Sequence, residues 1–145
     1  MLLDAGVWLA AVWAGHVHHP RVARWFDEQS GDLWLCRVTQ MSLLRLLSNP
    51  AVLRDDALTR ADAWRVVDAL RNDDRVRWSG EPAQLEQVWR AISARDDNSH
   101  KLWTDDYLAA FAQVASLTLV TLDTGFARRY PSVSVETLLG ADPTG

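Results

Sequence analysis

Asp4, Asp105 and Asp123 are the residues of this chain whose type and position best suit chemistry. Asp4 closes the short apolar run Met1-Leu2-Leu3, and Asp123 closes the β-rich run Leu117 to Leu122. Asp105 lies in the opening turn of the helical stretch that feeds the second of those runs. Each has an innocent role on its own. Asp4 can cap a helix, and Asp123 in Leu122-Asp123-Thr124-Gly125 suits a turn. Asp105 and Asp106 can favour a helix N-terminus by about 0.3–1 kcal/mol. Brought together at one end of a sheet, the three acquire a different meaning. Uncompensated carboxylates repel one another and lose solvation, so a proton or a cation must neutralise the group. Oxygen-only ligands match a hard divalent ion, Mg²⁺ or Mn²⁺.

Two other groups have types that bear on chemistry. His16, His18 and His19 form a His-x-His-His cluster that a transition metal could use, although residues of this kind more often make the loop before a helix. Cys36 is the single cysteine. It excludes an internal disulfide and a cysteine-built zinc site, and its apolar setting, Leu33-Trp34-Leu35-Cys36, predicts a buried, reduced thiol.

The elements that would carry these residues follow from apolar periodicity and punctuation. Strands are expected at Met1 to Leu3, Leu33 to Cys36, Val76 to Trp78, Leu117 to Leu122 and Ser132 to Val135. Helices are expected from Val7 to Trp13, from Arg21 to Gln29 and from a Thr39 cap to Asn49-Pro50. Others should run from the capping-box spacing at Thr59, over Gln84 to Ser93, and from a Thr104 cap to about Ala115. Strands alternating with helices imply an α/β fold, a three-layer α/β/α sandwich with a short, mainly parallel central sheet. In such sheets ligands bind beyond the carboxyl ends of the strands, where Asp4 and Asp123 fall. One domain over residues 1–139 and a flexible tail over 140–145 account for the chain, because Ala141-Asp142-Pro143-Thr144-Gly145 has nothing to bury.

The 145 residues suffice for a real core, and 48% hydrophobic with 23% charged residues is ordinary for a globular protein. No stretch approaches a membrane span and no basic leader precedes an apolar segment, so a cytoplasmic location is expected. A net charge of −4 argues against a protein that coats nucleic acid, yet leaves room for an enzyme that grips RNA through a local patch. Eight tryptophans are many for this length, and some are expected at an interface. No P-loop or Gly-x-Gly-x-x-Gly is present, and Asp4 lacks the acidic neighbour of a phosphoacceptor site.

Four segments together resemble the VapC toxins of the PIN-domain family. They are Leu2-Leu3-Asp4-Ala5-Gly6-Val7-Trp8-Leu9, and Val38-Thr39-Gln40 with Leu44-Arg45-Leu46-Leu47-Ser48-Asn49-Pro50. The others are Thr104-Asp105-Asp106-Tyr107-Leu108-Ala109-Ala110 and Leu119-Val120-Thr121-Leu122-Asp123-Thr124-Gly125-Phe126. The resemblance implies a PIN-like fold and a toxic endoribonuclease that hydrolyses phosphodiesters of structured or messenger RNA, transfer RNA included. It implies that Asp4, Asp105 and Asp123 hold Mg²⁺ or Mn²⁺ and form the catalytic centre, the ion acidifying a water and offsetting phosphate charge. It implies a VapB-like antitoxin, RNA as substrate, and pairing into a homodimer. Trp8 and Trp13, with Arg45 nearby, would line an apolar groove of the early helices for the antitoxin tail. By residue type alone, Arg128-Arg129-Tyr130 could meet RNA phosphate, with the tyrosine stacking a base, or equally form a solvated surface turn. Gly6 stands where the family usually has Asn, Ser or Thr, and no acid occurs between Asp32 and Asp55, where a third-helix Glu is common. Gln40 and Ser42 are the polar residues nearest that position. These departures keep open a second reading, a catalytically decayed PIN domain that still binds its antitoxin.

Overall fold

The computed structural model describes residues 1–140, so the expected tail lies, apart from Gly140, outside the described residues. Five parallel strands run in the order β3-β2-β1-β4-β5: β1 Leu2–Leu3, β2 Leu33–Leu35, β3 Val76–Trp78, β4 Leu119–Thr121 and β5 Val135–Thr137. The helices are α1 Ala5–Val12, α2 His19–Glu28, α3 Arg37–Leu47, α4 Pro50–Leu53, α5 Arg60–Arg71, α6 Leu85–Ser93, α7 Trp103–Ala115 and α8 Phe126–Arg129.

Alternation along the strands divides the core in two. Leu3, Leu33, Leu35 and Val120 face one layer with residues of α1, α2, α3 and α5. Leu2 and Leu119 face the other, with Leu108, Phe111 and Phe126 of α7 and α8. Each strand residue thus points opposite to its neighbour, and both sheet faces are covered. The chain steps from β1 through β2 to β3 in one direction, then returns to β4 and β5 on the far side of β1. Right-handed crossovers in opposite directions put their helices on opposite faces, so the crevice between β1 and β4 is the topological switch point.

Several boundaries depart from the expectation. Thr39 is not the cap of α3 but its third residue: the Cys36 amide donates to Thr39 Oγ1 at 3.1 Å, closing a box. Thr104 is not the cap of α7 but its second residue; the helix starts at Trp103, after Leu102. Asn49-Pro50 ends α3 and at once opens α4, the Asn49 side chain accepting from the Ala51 amide at 2.9 Å. Proline in a first turn loses no hydrogen bond, which also explains why Pro20 lies inside α2 rather than before it. The last strand begins at Val135, because Val133 is instead buried against the α7 layer.

Among the described residues no helix is long and apolar enough to cross a membrane. Trp8 is fully buried and packs edge-on against Phe26 at 6.1 Å, and Trp13 Nε1 donates to Asp56 at 2.9 Å. Trp8 therefore belongs to the core and cannot line a groove. The Cys36 thiol is buried and free, as its apolar setting predicts.

Candidate active site

Asp4 is the residue between β1 and α1. Its amide donates to the Val120 carbonyl at 2.9 Å, which fixes it at the β1–β4 seam. Its Oδ1 accepts from the Ala5 amide at 2.7 Å and its Oδ2 from the Thr121 hydroxyl at 3.2 Å. Thr121 is the last residue of β4 and is itself fully buried. Its hydroxyl also accepts from the Asp123 amide at 3.1 Å, so one side chain sets both acids. Asp105 arrives by a different route. Helix α7 precedes β4 and runs back antiparallel to it, so the first turn of α7 comes to the carboxyl ends of the strands.

The three carboxylates feel one another. Burial, reinforced by the charge of Asp123, pushes the Asp4 carboxyl above the ordinary carboxylate range against two hydrogen bonds that oppose it. Burial and then the charge of Asp4 push Asp105 up as well. Asp123 moves the other way, because the Arg129 guanidinium and the Gly125 amide stabilise its anion. The Gly125 amide donates to Asp123 Oδ1 at 2.8 Å.

Arg129 is the residue that sequence reasoning misjudged. It is partly buried and already bonded to two of the acids. Its Nη2 donates to Asp105 Oδ2 at 3.2 Å and also to Asp123 Oδ2. Helix α8, which the periodicity did not reveal, delivers it there, with the guanidinium 5.7 Å from the Phe126 ring centre and 5.8 Å from that of Tyr130. Gly125 leaves the room it needs: a Cβ there would come within 3.0 Å of Arg129 Nη1 and 3.3 Å of Asp123 Oδ1. The Nε of Arg129 is buried without a partner. Tyr130 is buried too, its hydroxyl donating to Asp106 at 2.5 Å, so it cannot stack a base. That bond turns Asp106 away from the other acids, as one step of about 100° along the helix implies.

The donor set is oxygen-only, partly desolvated and rich in negative charge, which suits a hard divalent cation. Yet among the described residues no three His, Cys, Asp or Glu side chains stand in an arrangement that holds a metal as they lie. The guanidinium supplies positive charge to two of the acids in its place. Gln40, nearest the position of the absent third-helix acid, is buried and accepts from Arg37 Nη1 at 2.5 Å. Gly6 has nothing within 4 Å of where a Cβ would stand, so a polar side chain would fit. The histidines tie their own loop together: the His18 amide donates to His16 Nδ1 at 3.0 Å, and His19 Nδ1 meets the Ala10 carbonyl at 2.7 Å.

A parallel five-stranded sandwich with acids gathered at its switch point defines an α/β protein of nuclease-like build. The chain belongs to the PIN-domain family, whose model matches residues 1–130. It is 43% identical over 134 residues to Ribonuclease VapC41 of Mycobacterium tuberculosis, covering 88% of this chain and 92% of that one. In fold it is similar to M. tuberculosis VapC20, a sarcin–ricin loop cleaving toxin, at a TM-score of 0.66 and 19% identity, over 88% of this chain and 92% of that one. It is equally similar to VapBC2 from Rickettsia felis, solved bound to a DNA fragment from their promoter. There the TM-score is 0.66 and the identity 11%, over 94% and 96% of the two chains.

Proposed function

We propose that this protein is the toxin of a toxin–antitoxin pair, an endoribonuclease that hydrolyses RNA phosphodiesters with Mg²⁺ or Mn²⁺ held by Asp4, Asp105 and Asp123. The observation that carries the reading is the gathering of these acids, from three separate elements, at the β1–β4 seam, where Thr121 joins Asp4 to Asp123 and Arg129 joins Asp105 to Asp123. Likeness to Ribonuclease VapC41 over most of both chains supports RNA as the substrate.

A bound divalent ion supplies Lewis acidity and an acidified water, and neutralises charge at the attacked phosphate. This chain's residues do the rest. Thr121 and the Ala5 amide orient both oxygens of Asp4. The Gly125 amide fixes one oxygen of Asp123 and leaves the other to a cation. Arg129 stabilises the acids when no metal is present and, released from them, is a cation within reach of a phosphate.

The likeness to VapBC2 supports a small VapB-like antitoxin as partner. An antitoxin arginine reaching these carboxylates would compete with the metal, so added Mn²⁺ should weaken the complex. Pairing of two copies into a homodimer is part of the same proposal.

The test is RNA cleavage and Mn²⁺ titration by calorimetry on wild type and Asp4→Asn. Wild type should take up Mn²⁺ and cut RNA, and Asp4→Asn should fold yet lose cleavage by orders of magnitude. Full cleavage by Asp4→Asn would remove Asp4 from the centre. A wild type that binds no Mn²⁺ and cuts no RNA would mark the decayed, antitoxin-binding alternative instead.

A further inference from the structure

A cleft of about 640 Å³ opens beside the acidic centre, between the segment from Ser93 to His100, the start of α7 and the end of α8. Its volume falls within the range of small-ligand sites. Arg129 and Asp106 line it, so the arginine bonded to Asp105 and Asp123 stands between the cleft and the acidic centre. The cleft is also lined by Trp103, which is 55% exposed.

An exposed tryptophan at a cleft edge ordinarily fails as a platform because its rotamer is free. Here it is held from behind. Trp89 meets the Trp103 ring edge-on at 6.2 Å and donates its Nε1 to the Trp103 carbonyl at 3.3 Å. Trp89 in turn packs at 5.4 Å against Tyr107, whose hydroxyl donates to Glu81 at 2.8 Å. A chain of rings anchored in the α7 layer therefore fixes an open indole. Polar groups also line it: Arg95, whose Nε is held by the Ile92 carbonyl at 2.9 Å, with Asn98, Ser99 and His100.

The geometry points to this cleft as the site for one nucleobase of single-stranded RNA, stacked on Trp103, next to the phosphate handled at the acidic centre. The inference rests on the nuclease reading above and deepens it. A purely apolar partner would not need the polar rim. A free anion would not need the indole, and Asp97 and Asp106 on the cleft wall disfavour it. A base needs both: a π-face to stack on, and donors and acceptors for its edge. Both acids in this wall are already partnered, Asp106 by the Tyr130 hydroxyl and Asp97 by the Ser99 amide.

The experiment uses the full chain in EDTA and a short mixed-sequence single-stranded RNA carrying 2-aminopurine, with cleavage by the wild type in Mn²⁺ measured alongside. Stacking on Trp103 should quench 2-aminopurine fluorescence on binding. Trp103→Ala should weaken RNA binding about tenfold and abolish the quench. Trp103→Phe, which keeps an aromatic face and guards against misfolding, should retain most of both. If wild type cuts RNA while Trp103→Ala and Trp103→Phe bind and quench like it, the base site is wrong and the nuclease reading stands. If wild type cuts no RNA, the nuclease reading falls and takes this inference with it. A Trp103→Ala protein that binds RNA normally but no longer holds its antitoxin would make the cleft a protein dock and overturn the inference.

Discussion

Arg129→Met in the metal-free protein tests directly how the acidic centre is stabilised. The substitution removes the guanidinium but keeps an unbranched apolar stem over the Phe126 and Tyr130 rings. In the native chain a single Nη2 serves Asp105 and Asp123, with side-chain exposures of 34% for the arginine, 28% for Asp105 and 42% for Asp123. Fully exposed pairs contribute about 0.2–1 kcal/mol, and screening discounts these partly exposed ones toward that range. Two such bonds at a half-buried position sum to about 1–2 kcal/mol, less than the ~1.5–3 kcal/mol of one buried charged hydrogen bond each. For a chain of this size the expected fall in Tm is about 3–6 °C. With saturating Mn²⁺ the order should reverse, because the ion no longer has to displace a guanidinium. The Mn²⁺-induced rise in Tm should then be larger in the variant than in wild type. Differential scanning calorimetry in EDTA and in MnCl₂ measures both quantities. Equal melting in EDTA together with an equal Mn²⁺ shift would refute the view that Arg129 stands in for a metal.

Asp4 and Asp105 are pushed above the ordinary carboxylate range, so the stability they contribute is present in acid and is lost as pH rises through their folded values. Asp4→Asn should therefore melt higher than wild type at neutral pH in EDTA, with the gap closing in acid; chemical denaturation across pH measures it, and a variant less stable at neutral pH would contradict the sign. Asp123, held low by Arg129, acts oppositely and loses its contribution as pH falls through its folded value. Trp8 is fully buried and its Nε1 has no partner. Trp8→Ala should cost about 3–5 kcal/mol. Trp8→Phe should cost much less, since removing the orphaned N–H offsets part of the lost packing. Urea denaturation of the two variants decides this, and equal losses would show that the N–H carries no penalty.

The sequence by itself determined the layered α/β architecture and the whereabouts of Asp4, Asp105 and Asp123. The cause is physical: strand and helix periods are local, and an acid directly after an apolar strand must emerge at the sheet's carboxyl edge. Only the tertiary structure decided what neutralises the acids. Arg129 lies on a four-residue helix too short to leave a periodic signature, and its partners are 24 and 6 residues distant in the chain. The same holds for the tryptophans. Composition marked their number, but Trp8 and Trp103 differ only in whether another layer lies over them. The packing of α2 buries the first, and the cleft beside α7 leaves the second open. Burial of that kind is set by contacts between distant segments, which no local pattern records.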